Sequence, residues 1–332
     1  MMAAVPLAPL IRAFFVDHLL QHKQVSPQTV SSYRDGFRLL LEFLQQHRHV
    51  APAAAALTDL DAPVVLAFLD HLEHERHNSV RSRNARLATV RSFFRFVAFR
   101  VPEHVDLTSR VLAIPVKRTT RRLIHFLTRE EMDAVLAACD QTTRAGRRDH
   151  ALLLTLYNTG ARVSEMTALR RSHIRFGAST VVHLQGKGRK DRVVPLWTRT
   201  ARILRAWCEE LGDAPPDYAF PNAQRARLTR HGIAYLLREA VARATATCPS
   251  LATKRVSPHV IRHTTAMHLL QAGVDFATIA LWLGHEQLDT THMYVEADLT
   301  LKEQALDQLG PLGQRPRRFK ADDTVLAFLA TL

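Results

Sequence analysis

The sequence has few cysteines, few glycines and no long apolar run, and each shortage argues against a class of protein. Its three cysteines lie far apart with no CxxC or CxxH spacing, which predicts neither a zinc finger nor a disulfide framework and fits a reducing cytosol. Glycine occurs only 12 times while 47% of the residues are hydrophobic, so collagen-like, low-complexity and disordered chains are excluded. No stretch approaches the roughly 18 consecutive apolar residues of a membrane-spanning helix. The apolar N-terminus contains prolines and follows no basic region, so no signal peptide is expected.

Basic residues are in excess. Lysine and arginine number 45 against 31 acidic residues, which leaves a net charge of +14 with histidine neutral and favours a polyanionic partner. The densest basic block lies in residues 114–126, a segment with four basic and no acidic residues. We interpret this segment as an interdomain linker, which is either a solvated charge run or a strap along phosphates. Its candidate DNA contacts are Lys117, Arg118, Arg121 and Arg122.

The length predicts two domains, because 332 residues exceed what one hydrophobic core ordinarily holds. Helices are expected at the N-terminal end, where Ser26 has the character of an N-cap and Pro27 suits the first helical position. A second domain start is marked by Thr128 and Glu131, which have the spacing of a capping box. The predicted organisation is a helical domain at 1–113, the linker at 114–126, a second domain at 127–310 and a tail at 311–332.

A basic stripe accompanies one predicted helix. Between about residues 84 and 99, apolar residues share one arc at helical spacing. Arg91 and Arg95 project from the opposite side, with Arg81 just upstream. This pattern suits a helix docked in a DNA major groove, and an ordinary exposed helix face has the same pattern.

A β-hairpin is predicted in the second domain. Two β-rich runs, 180–184 and 192–196, flank a glycine-containing segment in which Lys187 sits between two glycines. A lysine on such a turn is either a solvated charge or an ammonium delivered to a phosphate. Arg189 and Lys190, in the same turn, are further candidate DNA contacts.

Two helix boundaries carry residues suited to an anion. A helix is expected to end before Gly160 and the next to begin around Arg162, where Glu165 either orients the guanidinium or forms a structural ion pair with it. Further along, Ser257 and Pro258 begin another helix, which places His259 and Arg262 on one side of its first turn. A helix N-terminus with two basic side chains favours phosphate over a purely structural role.

The last constellation surrounds a tyrosine. Asp275 caps a short predicted helix that Gly284 ends, which leaves His285 at a corner. Asp289 caps the stretch that holds Tyr294. A phenol, with a free pKa of about 10, needs help to act as a nucleophile. By itself this tyrosine would be a half-buried core residue, whereas arginines, a lysine and histidines around one phosphate would supply that help.

In order along the chain, these residues resemble the active-site signature of the tyrosine recombinase (phage integrase) family. The resemblance covers residues 127–310 and extends more loosely to the helical N-terminal segment, which is similar to the family's core-binding domain. It implies a mainly α fold with a small β-hairpin or sheet. A helical core-binding domain and a mixed α/β catalytic domain would close as a C-shaped clamp on DNA. The site residues that it implies are Arg162, Lys187, His259, Arg262, His285 and Tyr294, with Glu165 in support.

The resemblance also implies a mechanism. Tyr294 would attack a scissile phosphodiester, form a 3′-phosphotyrosyl bond and release a 5′-hydroxyl. His259 would be the general base towards the tyrosine, and Lys187 would protonate the leaving oxygen. Arg162 and Arg262 would hold the non-bridging oxygens, to which His285 would donate a further hydrogen bond.

No metal, cofactor or ATP is expected for this chemistry. The sequence has no obvious carboxylate cluster for two divalent ions, and the basic side chains can neutralise the pentacoordinate charge without them. No GxxxxGK[ST] segment is present. The pair His47 and His49 could suggest a metal-dependent nuclease or a relaxase, but it falls at a helix end with no hydrophobic strand around it.

The expected partner is double-stranded DNA with inverted-repeat core sites, bound by a monomer or dimer at one site and by a homotetramer in the synapse. A separate arm-binding domain is not expected, since little sequence precedes the first helices. A tail helix with an apolar face, Val325, Phe328, Leu329 and Leu332, is expected to dock into a neighbouring protomer, with docking in cis or fraying as the alternatives. Sister recombinases are possible partners, no membrane is involved, and the enzyme is placed in the cytoplasm at the nucleoid.

Integration or excision of a mobile element is the predicted biological role. The sequence around the nucleophile, 291–298, looks more like that of integrases carried by transposons than like that of Xer-type enzymes. Xer-type resolution of chromosome or plasmid dimers remains the alternative. A catalytically idle DNA-binding protein would have no use for a nucleophile. A type IB topoisomerase shares the chemistry but fits the motif order and the short tail less well.

Overall fold

The computed structural model describes residues 4–119, 124–186, 191–212 and 217–284. They belong to two compact units, with the boundary between residues 121 and 122. The predicted linker, 114–126, spans this boundary. Within the described ranges, each helix is too short or too polar to cross a membrane.

The N-terminal unit is helical throughout its described part. Ser26, Asp61 and Ser79 each accept a hydrogen bond from a backbone N–H in the first turn of the helix that follows, which confirms the cap predicted at Ser26. A wider π-helical segment, Phe14–His22, continues the first helix. The α-helices are α1 (Leu7–Ala13), α2 (Pro27–Arg48), α3 (Ala62–His74), α4 (Val80–Arg100) and α5 (Val105–Ala113).

Aromatic rings fill the centre of this unit. The ring centroid of Phe14 lies 5.5 Å from that of Phe93 and 5.9 Å from that of Phe37, and all three side chains are buried. Burial of a phenylalanine side chain stabilises a fold by about 1.5–3 kcal/mol. The apolar arc predicted for α4 faces this core, since Leu87, Val90, Phe93, Phe94 and Val97 are all buried.

The basic stripe of α4 divides into exposed and internal arginines. Arg81 and Arg95 are exposed, as the docked-helix interpretation requires. Arg91 is different, because its guanidinium turns to the end of α5 and donates to the carbonyl oxygens of Leu112, at 2.9 Å, and of Ile114. Sequence periodicity predicts that Arg91 lies on the outer face of α4. In the structure its guanidinium instead satisfies carbonyl groups at the C-terminal end of α5.

The described part of the C-terminal unit is mainly helical as well. Its first helix begins with the predicted capping box, in which Thr128 accepts from the N–H of Glu131 and the Glu131 carboxylate accepts from the N–H of Thr128. The α-helices are α6 (Arg129–Ala137), α7 (Arg144–Thr159), α8 (Val163–Ala168), α9 (Thr198–Leu211), α10 (Arg230–Ala244), α11 (Pro258–Gln271) and α12 (Phe276–Leu283).

A small antiparallel sheet accompanies these helices. Its strands β1 (Ile174–Arg175), β2 (Val181–Gln185) and β3 (Asp191–Pro195) lie in the order β1-β2-β3. The predicted hairpin is therefore confirmed, with strand bounds shifted by one residue. Val182 pairs with Val194, and both are buried while their neighbours along the strands are less buried.

Helix α7 lies at the centre of this unit and fixes the position of α11. From His150 to Thr159 every residue of α7 is buried. The Tyr157 hydroxyl lies 2.7 Å from Nδ1 of His268, and the Thr265 hydroxyl donates to the carbonyl of Tyr157 at 2.6 Å. These contacts hold α11 against the C-terminal end of α7, which is where the candidate site begins.

Candidate active site

A tight turn after α7 opens the site. Gly160 ends the helix in the left-handed conformation, with φ of 57°, as predicted for a C-terminal glycine. A Cβ atom at this position would lie 2.4 Å from Cδ2 of Leu283, the last residue of α12. Glycine is therefore required twice, for its backbone conformation and for the close approach of α12.

Arg162 directly follows this turn and precedes α8. Its backbone N–H donates to Oε2 of Glu165 at 2.7 Å, and its Nη1 donates to Oε1 of the same carboxylate at 3.1 Å. Nη2 donates to the carbonyl of Gly284 at 3.0 Å. About a third of the side chain, 32%, is exposed, so the guanidinium is fixed and still accessible to a ligand.

Arg262 is held by main-chain carbonyls. It lies in the first turns of α11, and its residue is only 4% exposed. Nη1 donates to the carbonyl of Gly160 and Nη2 to the carbonyl of Leu283, each at 2.7 Å. These two acceptors carry no net charge, so they orient the guanidinium without neutralising it.

His259 lies on the same first turn of α11, which Ser257 caps and Pro258 begins, as predicted. Desolvation of its ring lowers the pKa of His259 below 6.5, and the positive charges of Arg262 and Arg162 lower it further. The imidazole is therefore neutral at pH 7 and can accept a proton. The next histidine, His263, has its pKa lowered to about 4 by burial and by the charges of His259 and Arg262.

Arg192, which no sequence motif singles out, completes the arrangement. This β3 residue donates from Nη1 and Nη2 to the two carboxylate oxygens of Glu165, at 2.9 and 2.8 Å. Its Nε donates to the carbonyl of Trp282 at 2.9 Å. The sequence signal was no more than one arginine in a strand of a basic chain, and the pairing spans 27 positions.

Glu165 is buried among these cations. Burial raises its pKa, but the hydrogen bonds and charge of Arg192 and the contacts with Arg162 outweigh burial and leave the pKa below 4.5. The carboxylate is therefore ionised at neutral pH. Among the described residues, Glu165 and the three arginines Arg162, Arg192 and Arg262 carry a net charge of +2, which favours an anion at the exposed side of the site.

The remaining predicted site residues lie outside the described part of the chain. Gly284, whose carbonyl accepts from Arg162, directly precedes His285 in the sequence. Strand β2 and strand β3, the second of which contains Arg192, flank in sequence the segment that holds Lys187. In the described part of this unit, no histidines, cysteines and carboxylates cluster closely enough to hold a metal ion. The predicted residues outside the described ranges are Arg121, Arg122, Lys187, Arg189, Lys190, His285, Tyr294 and the tail face at 325–332.

Two residues of the predicted basic strap are described. The Lys117 ammonium contacts the Glu73 carboxylate, and the Lys117 backbone N–H donates to the Asn84 side chain at 3.2 Å. Arg118 is exposed. The first part of the strap is therefore tied to the N-terminal unit, with Arg118 available for a partner.

Comparison with known protein families assigns both units. Residues 125–300 match the phage integrase family, and residues 13–100 match the phage integrase N-terminal SAM-like domain. Integrase/recombinase y4rC of Sinorhizobium fredii is 49% identical over 326 residues, covering 98% of each chain. Tyrosine recombinase XerC of Oceanobacillus iheyensis is 34% identical over 289 residues, covering 84% of this chain and 89% of the relative.

Solved structures share the fold. The integrase of transposon Tn1549 in complex with transposon right end DNA has a TM-score of 0.70 at 15% identity, covering 92% of this chain and 99% of that chain. The XerH recombinase bound to a palindromic difH substrate has a TM-score of 0.69 at 20% identity, covering 85% of this chain and 80% of that chain. The mainly helical fold with a small sheet is thus the one predicted.

Proposed function

The chain belongs to the phage integrase family, and from this premise we propose that it cleaves and rejoins specific DNA sites with Tyr294 as its nucleophile. The observation that carries the proposal is the pair of fixed guanidinium groups at the end of α7. Arg162 and Arg262 are oriented by the carbonyls of Gly284, Gly160 and Leu283, so their positive charges are in place before a phosphate arrives.

The first half of the reaction transfers a DNA phosphate to the protein. Arg162 and Arg262 bind the non-bridging oxygens, and His285 donates a further hydrogen bond to the phosphate. Oη of Tyr294 forms a bond to phosphorus as the bond from phosphorus to the 5′-oxygen breaks. The tyrosine proton passes to the neutral His259, and Lys187 protonates the leaving 5′-oxygen. The product is a 3′-phosphotyrosyl linkage and a free 5′-hydroxyl.

Rejoining reverses these steps on another strand. A 5′-hydroxyl attacks the phosphotyrosine, loses its proton to Lys187, and restores a phosphodiester as His259 returns a proton to Tyr294. The bond energy is kept in the phosphotyrosyl ester, so the exchange needs no ATP. Glu165 and Arg192 do not take part in proton transfer but keep Arg162 in position.

The proposed partner is double-stranded DNA with inverted-repeat core sites. Four copies form the synapse, with the apolar tail face docking in trans, and sister recombinases can take places in it. Deleting 321–332 should then impair synapsis more than binding of one site. Relatives support this picture, because one solved structure is described as a lambda integrase tetramer bound to a Holliday junction. We place the enzyme at the nucleoid in the cytoplasm, where such DNA is found.

Integration or excision of a mobile element is the proposed role, supported by the 49% identical relative named integrase/recombinase. The relatives named XerC favour the second candidate, resolution of chromosome or plasmid dimers. The outcome of the reaction separates the two roles. Joining of the ends of an element supports the first, and recombination between two copies of one chromosomal or plasmid site supports the second.

A suicide substrate tests the chemistry. A nicked duplex from the flanks of the encoding element should trap a covalent protein–DNA adduct in EDTA, and peptide mapping should place the DNA on Tyr294. The Tyr294→Phe variant should keep its affinity for the duplex and form no adduct. A strict requirement for magnesium in cleavage, or an adduct on another residue, would overturn the proposal.

A further inference from the structure

Two histidines and a glutamate meet in the N-terminal unit, which contains none of the residues proposed for strand cleavage. His47 lies in the last turn of α2, while His71 and Glu75 lie one turn apart at the end of α3. One ligand atom from each lies within 4.8 Å of the other two. We propose that these three side chains bind one Zn²⁺ ion, with water as the fourth ligand.

The distances are close to those of a metal site. Nδ1 of His71 lies 2.9 Å from Oε2 of Glu75, and the rings of His47 and His71 have centroids 4.9 Å apart. Zinc binds imidazole nitrogen and carboxylate oxygen at about 2.0–2.2 Å, which sets ligand atoms of a tetrahedron about 3.3–3.5 Å apart. Small rotations of His47 and Glu75, which are both exposed, would bring the three ligand atoms to this spacing.

The two imidazoles are already oriented by a shared neighbour. The ring of Phe43 stacks on His47 at 4.6 Å and contacts His71 at 5.4 Å, and Phe43 itself is buried at 5% exposure. Ligands held by packing lose less conformational entropy when a metal binds. Phe43 therefore restrains both imidazole rings, as the neighbours of metal ligands do in known metal sites.

His71 supplies an independent indication of a missing ligand. Its Nδ1 is shielded from solvent and makes no hydrogen bond of acceptable alignment, although Glu75 lies beside it. A buried nitrogen without a hydrogen bond is costly, and coordination to a cation would satisfy it. The C-terminal ends of α2 and α3 both lie here, and their carbonyl dipoles also favour a positive charge.

The competing interpretation is a plain ion pair between His71 and Glu75 at helical i, i+4 spacing. In that pair the imidazole of His71 would donate a proton to the carboxylate, whereas a zinc ligand offers the lone pair of its nitrogen to the metal. The ion pair also leaves His47 without a role. Two histidines and one carboxylate, with water in the fourth position, are an established zinc ligand set.

Bound zinc would tie the end of α2 to the end of α3 and stabilise the N-terminal unit. The test is titration of the metal-free, full-length protein with Zn²⁺ and with Co²⁺ as a spectroscopic probe at pH 7.5. We expect one saturable equivalent, visible d–d bands of a tetrahedral nitrogen and oxygen site, and a rise of the thermal midpoint with zinc. Thiolate charge-transfer bands would instead assign the metal to the cysteines.

Variants identify the ligands. His47→Ala and Glu75→Gln replace exposed side chains and should fold, and each should abolish the saturable equivalent. His74→Ala, on the same turn of α3 but outside the cluster, should bind zinc as the wild type does. Equal binding by wild type and His47→Ala overturns the proposal. The readout is binding, so its outcome does not depend on whether the protein recombines DNA.

Discussion

The guanidinium of Arg192 donates to both carboxylate oxygens of Glu165, and the same carboxylate accepts the backbone N–H and the guanidinium of Arg162. Arg192 thus acts on Arg162 through a shared anion. Since Arg192 also donates to the carbonyl of Trp282, one side chain links strand β3, the start of α8 and the end of α12. Arg192 therefore connects three parts of the site, and it acts as a positioning residue rather than by contacting the substrate.

Replacing Arg192 should therefore slow cleavage without weakening DNA binding. Arg192→Lys keeps the charge but loses the planar double contact, so Arg162 should lose its fixed orientation. We expect the rate of covalent adduct formation to fall by about 10²-fold, the cost of a small misplacement of a catalytic group. Single-turnover cleavage measures the rate, and gel shift measures affinity. Arg202→Gln, at an exposed position of α9, is the control, and an equal loss in both variants would contradict the assignment.

Gly160 should tolerate no side chain. In Gly160→Ala the left-handed backbone costs about 1–2 kcal/mol, and the clash with Leu283 adds about 1–3 kcal/mol of overpacking. Gly273→Ala is a matched control, because Gly273 also has a positive φ, 84°, but a Cβ atom there would have no atom of the described residues within 4 Å. Urea unfolding of both variants measures the difference. A similar loss in the two would show that the approach of α12 has no part in the requirement.

The stability of the C-terminal unit should decline in mild acid. Burial and neighbouring positive charge lower the pKa of His263 from 6.5 to about 4. The unfolded chain therefore binds the proton more tightly, so this contribution is fully present above pH 6.5 and is lost as the pH falls towards 4. Urea midpoints measured between pH 7.5 and 4 should show the decline, and His263→Gln should flatten it. An unchanged slope in the variant would assign the titration to another group.

Two arginines of α4 should respond in opposite ways to truncation. Arg95→Ala removes an exposed charge, so DNA affinity and its dependence on salt should fall while stability stays within about 0.5 kcal/mol. Arg91→Ala leaves the carbonyls of Leu112 and Ile114 without a donor, so it should destabilise the protein by about 1–3 kcal/mol. Binding at several salt concentrations and urea unfolding separate the two effects. If Arg91→Ala and Arg95→Ala lost DNA affinity to a similar extent with unchanged stability, Arg91 would belong to the exposed DNA-binding face of α4.

Local signals in the sequence were sufficient for element boundaries. The caps at Ser26, Ser257 and Asp275 and the helix end at Gly160 are short-range hydrogen bonds and backbone preferences, which the sequence states directly. The hairpin followed from two β-rich runs around glycines. The family resemblance predicts that Arg162, His259 and Arg262 form one site. In the structure the two arginines donate to carbonyls at the C-terminal ends of α12 and α7.

Long-range partners could not be read in this way. Arg192 and Glu165 meet because the sheet that contains β3 packs beside α8, and Arg91 reaches α5 because α4 and α5 pack together. In the sequence His47 lies two positions from His49, whereas the fold brings His47 next to His71 and Glu75 at the end of α3. Such pairings depend on tertiary packing, which no periodicity of a single segment records.

The two arginines proposed to bind phosphate donate to the carbonyl oxygens of residues 160, 283 and 284, which belong to the polypeptide main chain. Every amino acid offers that same acceptor, whatever its side chain. Sequence drift around Arg262 can therefore replace neighbouring side chains without removing its two carbonyl acceptors, provided that the path of the chain is kept, whereas Arg162 depends in addition on the side chain of Glu165. An engineer who wishes to retarget such an enzyme has freedom over the surrounding surface but little over these two bends.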